Sequence, residues 1–269
     1  MAGISVSIVA FRTPAEVMER ALRCALRDGA ERVLIVDHSE SDDLRRLADA
    51  HSPRVRYMRL PNRGFAAGHN AAMRLLLADD PEFHVVMNPD VYWDEPVLPR
   101  LALDMRGRPD AGMMVPRVRY PDGTLQQVAR LLPAPIDLLI HRAPQIPIWK
   151  RRAKRTTLCA EQDSELRQAP FFHGCFLMLR PAALADVGLF DERYFLYLED
   201  ADLSRRIHAR WATLYNPSVE IYHAHAAASR KSLRMMLVHA RSAARYFSKW
   251  GWLHDPERRR FNSQCRRTD

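Results

Sequence analysis

The stretch His84-Val-Val-Met-Asn-Pro-Asp90 decides the predicted fold. A short apolar run, Val85 to Met87, stops at Asn88 and Pro89, which is typical of a buried strand that enters a turn. In a parallel α/β sheet, ligands bind at the carboxyl ends of the strands. Asp90 would be well placed there to hold a hard cation against phosphate oxygens. Asn-Pro-Asp is also an ordinary turn sequence, so the rest of the chain must decide between a turn and a binding site.

Strands and helices alternate around this stretch. The predicted strands lie at residues 4–11, 32–37, 55–60 and 84–88, and later at 112–115, 171–179 and 219–222. The predicted helices lie at 14–28 and 41–50, from a glycine-bearing loop (61–70) to residue 77, and at 96–105. Such alternation predicts an α/β fold, a doubly wound and mainly parallel sheet of the Rossmann-like kind.

Composition limits the cellular setting. The chain has 269 residues, 47% of them hydrophobic, which is enough to bury a core. Its four cysteines show no disulfide framework and no metal-type spacing. The first apolar run lacks a preceding basic segment, and no apolar run approaches the ~20 residues of a membrane span. We therefore expect a cytoplasmic protein, either free or peripheral on the inner face of the plasma membrane.

Positive charge is concentrated at the end of the chain. Residues 230–269 carry eleven Lys and Arg against three acids, whereas residues 1–229 are nearly neutral. We predict a catalytic body at 1–229, with halves at about 1–116 and 117–229, and a basic C-terminal segment at 230–269. A helix at about 229–249 combines apolar residues at helical spacing with six bases. Such a basic amphipathic helix can pack on the domain or lie on an anionic membrane.

Polar groups follow several predicted strands and one helix start. Asp37, Asp90 and the pair His223 and His225 follow strands, and Glu199, Asp200 and Asp202 begin a helix. Acids at a helix start complement the helix dipole. Three carboxylates within four positions would nevertheless be costly if all were buried and unpaired. We expect at least one to face a pocket, where it could act as a general base. A lone histidine is more often structural than a metal ligand, and these observations alone do not decide its role.

In order and spacing, the motifs resemble the family 2 glycosyltransferases, in particular the bacterial rhamnosyltransferase-like branch. The matching segments are Ser7-Ile-Val-Ala-Phe11, Ile35-Val-Asp-His-Ser39, Asn62-Arg-Gly-Phe-Ala-Ala-Gly-His-Asn70, Met87-Asn-Pro-Asp90, Gly174-Cys-Phe-Leu177, Gly188-Leu-Phe-Asp-Glu-Arg-Tyr-Phe195, Leu198-Glu-Asp-Ala-Asp-Leu203 and His223-Ala-His225. Each is weak alone, but their order is specific and covers residues 4–250. The resemblance implies a GT-A fold.

The resemblance also implies roles for individual residues. Asp37 would contact a pyrimidine base near Ala10 and Phe11, and the remaining nucleotide-binding residues would be Arg63, Gly68, Asn70 and Asn88. Asp90 matches the last acid of the family's Asp-x-Asp metal motif, and Asn88 replaces the first. Asp200 matches the general base, with Glu199 beside it. His225, or less favourably His223, matches a late histidine that contacts the metal or the diphosphate. Ala226-Ala-Ala228 replaces glycines that relatives often carry, which leaves that choice open.

The implied reaction is an inverting sugar transfer. The favoured donor is dTDP-L-rhamnose, with a UDP-sugar as the alternative, and Mg²⁺ or Mn²⁺ is the implied cofactor. The implied acceptor is a hydroxyl of a glycan on a lipid carrier, in synthesis of a cell-surface polysaccharide such as O-antigen. The competing hypothesis is a non-catalytic protein that binds nucleic acid or membrane through its basic C-terminal segment. It leaves the ordered motifs unexplained, so we do not expect nucleic acid as a partner.

Overall fold

The chain forms a mixed β-sheet flanked by helices. The computed structural model describes residues 3–51, 53–140, 152–153, 155–224 and 233–266, the side chains of 139 and 140 excepted. The strands are β1 (Ile4–Ala10), β2 (Ala30–Asp37), β3 (Val55–Arg59), β4 (Phe83–Met87), β5 (Val91–Tyr92), β6 (Ala111–Arg119), β7 (Ala129–Arg130), β8 (Arg167–Gln168), β9 (Phe171–Phe172), β10 (Phe176–Leu179) and β11 (Ala212–His223). The helices are α1 (Ala15–Arg27), α2 (Asp43–Ala50), α3 (Phe65–Leu76), α4 (Leu98–Arg106), α5 (Pro135–Ile140), α6 (Pro181–Val187), α7 (Glu199–His208), α8 (Leu233–Trp250) and α9 (Pro256–Cys265).

The central sheet is parallel in one half and mixed in the other. Its order is β3-β2-β1-β4-β10-β6-β11-β5, with β8 paired to β11, while β7 and β9 form a separate small sheet. The first four strands are parallel, as expected from the alternation of strands and helices. β10 is antiparallel to both of its neighbours, β4 and β6. Its first residue, Phe176, lies opposite Met87, where β4 ends. This pairing brings the segment before β10 to the edge where Asp90 lies.

The predicted strand at 171–179 is instead two strands. β9 pairs with β7 and β10 joins the central sheet, and His173-Gly174-Cys175 turns between them. The backbone leaves the ladder here because its N–H groups have other partners. Gly174 N donates to Asp200 Oδ2 at 3.0 Å, and Phe172 N donates to Ser204 Oγ at 3.2 Å. Both acceptors belong to α7, so this turn is tied to the helix that carries the predicted base.

The glycine-bearing loop predicted at 61–70 ends earlier than expected. α3 already begins at Phe65, so Gly68 and Asn70 belong to the helix. Gly64 has φ 101°, and a Cβ built there would lie 2.1 Å from Phe195 O. Phe65 N donates to that same carbonyl at 2.9 Å. Only glycine fits this close approach with a positive φ, and the contact fastens the start of α3 to the segment before α7.

The C-terminal helices pack on α7. Lys249 Nζ and Trp250 Nε1, at the end of α8, contact Asp202 Oδ1 at 2.7 and 2.8 Å. Arg205, which is almost fully buried, donates two hydrogen bonds of 2.7 Å to Asp255 at the start of α9. Asp202 is therefore engaged in packing rather than in the cleft. Of the helices described, none is long and apolar enough to cross a membrane.

A chain of buried histidines and serines lies between β1, β4 and α3. Ser5 Oγ and Ser7 Oγ contact the two ring nitrogens of His84 at 2.8 and 2.9 Å. Ser7 Oγ also contacts His69 Nδ1 at 2.8 Å. Burial lowers the pKa of His84 to about 3, and burial together with His84 lowers the pKa of His69 well below its usual value. Both rings are therefore neutral at physiological pH.

This neutral chain predicts loss of stability in acid. Unfolded His84 takes up a proton near its ordinary pKa of 6.5, whereas folded His84 does so only near 3. Between these values the unfolded state binds more protons, so at about pH 4.5 His84 alone lowers the unfolding free energy by roughly 3 kcal/mol relative to neutral pH. Urea unfolding of the wild type and His84→Gln at the two pH values measures this effect. The variant should lose less stability on acidification, and an equal loss would contradict the assignment.

Candidate active site

The turn His173-Gly174-Cys175 joins the two predicted halves of the site. Cys175 O accepts a hydrogen bond from Asn88 N at 2.8 Å, and Gly174 N donates to Asp200 Oδ2 at 3.0 Å. A Cβ on Gly174 would lie 3.3 Å from the Asp200 Cβ. The Asn88-Pro89-Asp90 turn and the start of α7 therefore adjoin the same short segment, although they are more than one hundred residues apart in the chain, and we call the region between them the cleft.

Asp90 lies against a histidine at the end of β11. His223 Nε2 is 3.3 Å from Asp90 Oδ1 and 3.3 Å from Asn88 Nδ2. On the other side of the ring, His223 Nδ1 contacts Gln126 Oε1 at 3.0 Å, and Gln126 Nε2 donates to His223 O at 2.8 Å. Ala224 N also donates to Asp90 O at 3.0 Å. Gln126 thus fixes the imidazole so that Nε2 points at Asp90.

The environment of His223 favours its charged form when no cation is bound. Burial opposes protonation, but the Cys175 sulfur and the Asp90 carboxylate beside the ring favour it. The net effect raises the pKa of His223 to about 10. A divalent cation at Asp90 would take the place of that proton, because an imidazole binds metal only in its neutral form.

The donor set at Asp90 fits a divalent cation that is shared with a ligand. The described residues contain no group of three or more His, Cys, Asp or Glu side chains arranged to hold a metal. Asp90, 26% exposed at its side chain, and His223 offer two ligands from the protein. Mg²⁺ is typically held by one or two carboxylates together with phosphate oxygens of a substrate. His225, the favoured ligand from the sequence, lies outside the described residues, and its role stays a prediction.

Asp200 has the properties of a general base. It is the second residue of α7 and is partly exposed. Its two oxygens accept from Gly174 N at 3.0 Å and Ala201 N at 2.8 Å. Burial raises the pKa of Asp200 to about 6, and the backbone hydrogen bonds limit that rise. The carboxylate is therefore ionised at neutral pH but more basic than an ordinary aspartate, as a proton acceptor requires.

Glu199 differs from its neighbour in both exposure and charge. It is only 4% exposed, and its Oε2 has no hydrogen-bond partner among the described residues. Burial and the negative charge of Asp200 raise the pKa of Glu199 to about 8. The two adjacent carboxyls thus divide into a neutral acid and an ionised base, since their environments separate their pKa values. Glu199 therefore differs from Asp200 in its protonation at neutral pH, and its catalytic role stays a prediction.

The residues predicted to meet the nucleotide base lie at the ends of β1 and β2. Ala10 pairs with Asp37 across the sheet, and Ala10 O accepts from His38 N at 2.9 Å. The ring of Phe11 is 53% exposed and available for stacking. Asp37 is fully buried, and its carboxylate accepts from Ser39 N and from Tyr57 Oη. Each carboxylate oxygen can accept a second hydrogen bond, but Asp37 is fully buried, so a direct contact with a base stays a prediction.

The other predicted nucleotide residues have different surroundings. Arg63 is exposed just before α3, whereas Gly68 is buried in the helix, where a Cβ would lie 2.9 Å from His38 Nε2. The amide of Asn70 bonds to protein: Nδ2 donates to Phe190 O and Glu192 Oε1, and Oδ1 accepts from Phe190 N. Asn70 therefore anchors the segment that leads to α7. Both of its amide hydrogens have partners in the protein, and its predicted contact with the nucleotide stays a prediction.

Two contacts of the site were not predicted from the sequence. One joins Gln126 to His223, and the other is the hydrogen bond from Gly174 N to Asp200. Gln126 carries no motif and is found only through its contact with His223. Gly174 lies inside the strand predicted at residues 171–179. An isolated glycine in a strand pattern often marks a close backbone approach, so a signal for this turn was present.

The fold resembles the GT-A fold of solved glycosyltransferases. GalNAc-T7, solved with UDP, GalNAc and Mn²⁺, matches with a TM-score of 0.61 at 13% identity, over 83% of this chain and 44% of its own. The mannosyltransferase PcManGT of Pyrobaculum calidifontis, solved with GDP-Man and Mn²⁺, has a TM-score of 0.57 at 16% identity, over 98% and 74%. TarS of S. aureus has a TM-score of 0.60 at 14% identity, over 97% and 42%. The chain thus spans less than half the length of two of these three structures.

The sequence places the chain within that class. The model of the family described as Glycosyl transferase family 2 matches residues 5–188, and the chain belongs to this family. An N-acetylglucosaminyl-diphospho-decaprenol L-rhamnosyltransferase of Mycobacterium tuberculosis (strain CDC 1551 / Oshkosh) is 32% identical over 249 residues, which cover 84% of this chain and 78% of the relative. The protein of the same name from strain H37Rv is similar to the same extent. The family resemblance read from the motifs is thereby confirmed.

Proposed function

We propose that this enzyme transfers L-rhamnose from dTDP-L-rhamnose, with inversion, to a hydroxyl of a lipid-linked glycan in cell-surface polysaccharide synthesis. The observation that carries the proposal is the shared turn at Gly174 and Cys175, which holds Asp200 and the Asn88–Asp90 segment at one cleft. The rhamnosyltransferase relatives, whose names give a diphospho-decaprenol acceptor, support the choice of sugar and acceptor. Such an acceptor requires the enzyme to work at a membrane surface.

The chemistry assigned to these residues is a single displacement. Asp200 takes the proton from the acceptor hydroxyl while that oxygen attacks the anomeric carbon. The bond between this carbon and the diphosphate oxygen breaks on the opposite face, and its electron pair leaves with the nucleoside diphosphate. One displacement inverts the anomeric configuration, and no covalent enzyme intermediate forms. A divalent cation held by Asp90 and His223 would neutralise charge on the departing diphosphate.

A donor panel tests the assignment. We expect the purified protein with Mn²⁺ to turn over dTDP-L-rhamnose faster than UDP-glucose, UDP-GlcNAc or GDP-mannose, measured as release of the nucleoside diphosphate with a GlcNAc-diphospho-prenol acceptor. Differences of this kind reflect transition-state binding in the donor pocket. Equal or better use of a UDP-sugar would overturn the rhamnose assignment but leave glycosyl transfer intact. Asp186→Asn replaces an exposed carboxylate on α6 and serves as the control variant in the same turnover assay.

A further inference from the structure

The outward face of α8 is apolar along its first half. The side chains of Leu233, Met236 and Leu237 are strongly exposed, with relative exposures of 75%, 41% and 60%. Their spacing of three and four residues places them on one side of the helix. Ala240 and Ala244, one and two turns further on, are also exposed and continue this side. A surface helix ordinarily buries its apolar stripe and turns polar residues to the solvent, so this outward face lacks the usual polar cover.

Arginines border this face, and the helix contains no acid. α8 carries Arg234, Arg241, Arg245 and Lys249 and neither Asp nor Glu. Arg234 and Arg241 are exposed, whereas Arg245 donates to the Arg193 carbonyl. Apolar side chains flanked by cations are the composition of helices that lie in the headgroup region of anionic membranes.

The opposite face of α8 is fixed beside the catalytic carboxyls. Ser242 Oγ donates to Leu196 O at 2.8 Å, and the ring of His239 lies 5.1 Å from that of Tyr197. The segment at 196–197 runs directly into Glu199 and Asp200. Because the end of α8 is also held at Asp202, the exposed first turns have a defined position relative to the predicted base.

We propose that the face formed by Leu233, Met236 and Leu237, with Arg234 and Arg241, docks on an anionic lipid bilayer and holds the cleft at the membrane. The purpose of this docking rests on the proposed function, since an acceptor on a lipid carrier must reach Asp200 from the bilayer. A second copy of the chain fits this face less well. A two-fold interface would bring the same arginines of both copies together, with no acid of α8 to pair with them.

Vesicle flotation tests the proposal. We expect the full chain to float with vesicles of phosphatidylcholine and phosphatidylglycerol, and much less with phosphatidylcholine alone. Leu233→Glu with Leu237→Glu should lower the partition coefficient about tenfold or more, because apolar burial at the interface is replaced by charge. Arg234→Gln with Arg241→Gln should lower it about fivefold for each arginine, and only with the anionic vesicles. Both pairs are exposed, so the fold should tolerate these changes.

A matched control and a second readout keep the test decisive. Leu103 on α4 is 65% exposed, and Leu103→Glu should float like the wild type. Flotation of the Leu233/Leu237 variant like the wild type, or no flotation of the wild type, would overturn the proposal. So would light scattering that shows a wild-type dimer broken by this variant, since the face would then be a subunit interface. Flotation requires no turnover, so its result is independent of whether the donor panel supports rhamnosyl transfer.

Discussion

Replacing Asp200 by asparagine is expected to lower kcat by about 10²–10⁴-fold, the usual contribution of a positioned general base. The single oxygen of asparagine can keep the hydrogen bond from Gly174 N and gives up the one from Ala201 N, so the contact to the turn should persist. Binding of dTDP should therefore remain close to that of the wild type. Steady-state kinetics and calorimetric titration with dTDP separate the two effects. Full activity of this variant would remove Asp200 from the mechanism.

The pH dependence of kcat/KM provides a second test of the same assignment. Because burial raises the pKa of Asp200 to about 6, its ionised fraction falls as the pH drops through 6. The rate should therefore rise with pH along an acidic limb centred near 6 and then level off, since the base acts only when deprotonated. The conservative Asp200→Glu variant should retain a limb of this kind, whereas the residual activity of Asp200→Asn should lack it.

Asp90→Ala is expected to lower kcat/KM by about 10²–10³-fold, the range seen when one group that stabilises the leaving charge is removed. With Asn88 in place of an acid, Asp90 is the only carboxylate in its turn that can bind a cation. The variant should also lose the increase in dTDP affinity that Mn²⁺ gives the wild type. Titrations with dTDP in the presence of Mn²⁺ or EDTA measure this loss without any need for turnover.

Asn88→Ala is the matched comparison because Asn88 lies in the same turn. Its side-chain Nδ2 lies 3.3 Å from His223 Nε2. We expect about a tenfold loss or less, of the size of one neutral hydrogen bond. If Asn88→Ala were more damaging than Asp90→Ala, the cation ligand would have been assigned to the wrong residue.

The sequence predicted the first four strands well because the signals for them are local. Short apolar runs that end in Asp37 and Asn88-Pro89 each mark a strand and its end, and the parallel order follows from the alternation with helices. Asp90 and Asp200 could be singled out in the same way, by residue type at the end of a strand and the start of a helix. Their proximity could not, since nothing local relates residues 110 positions apart.

What the sequence missed depends on tertiary contacts. The apolar run from Phe171 to Leu179 has the composition of one strand, but hydrogen bonds from its backbone to α7 divide it. The hydrogen bonds of the Asn70 amide to the Phe190 segment, 120 residues away, are likewise not indicated by any local pattern. In both cases the partner comes from another part of the chain.

The turn at His173-Gly174-Cys175 has a consequence for how substitutions combine. It receives a hydrogen bond from the backbone of Asn88 and gives one to the carboxylate of Asp200. A shift of the turn would displace the Asn88–Asp90 segment and the Asp200 carboxylate together, so we expect their free-energy contributions not to be independent. Residues linked in this way show interaction energies in double-mutant cycles that exceed those of distant pairs. The spacing between the Asn88–Asp90 segment and Asp200 thus depends on one short segment. Substitutions in the proposed sugar or acceptor pocket can therefore occur without changing that spacing.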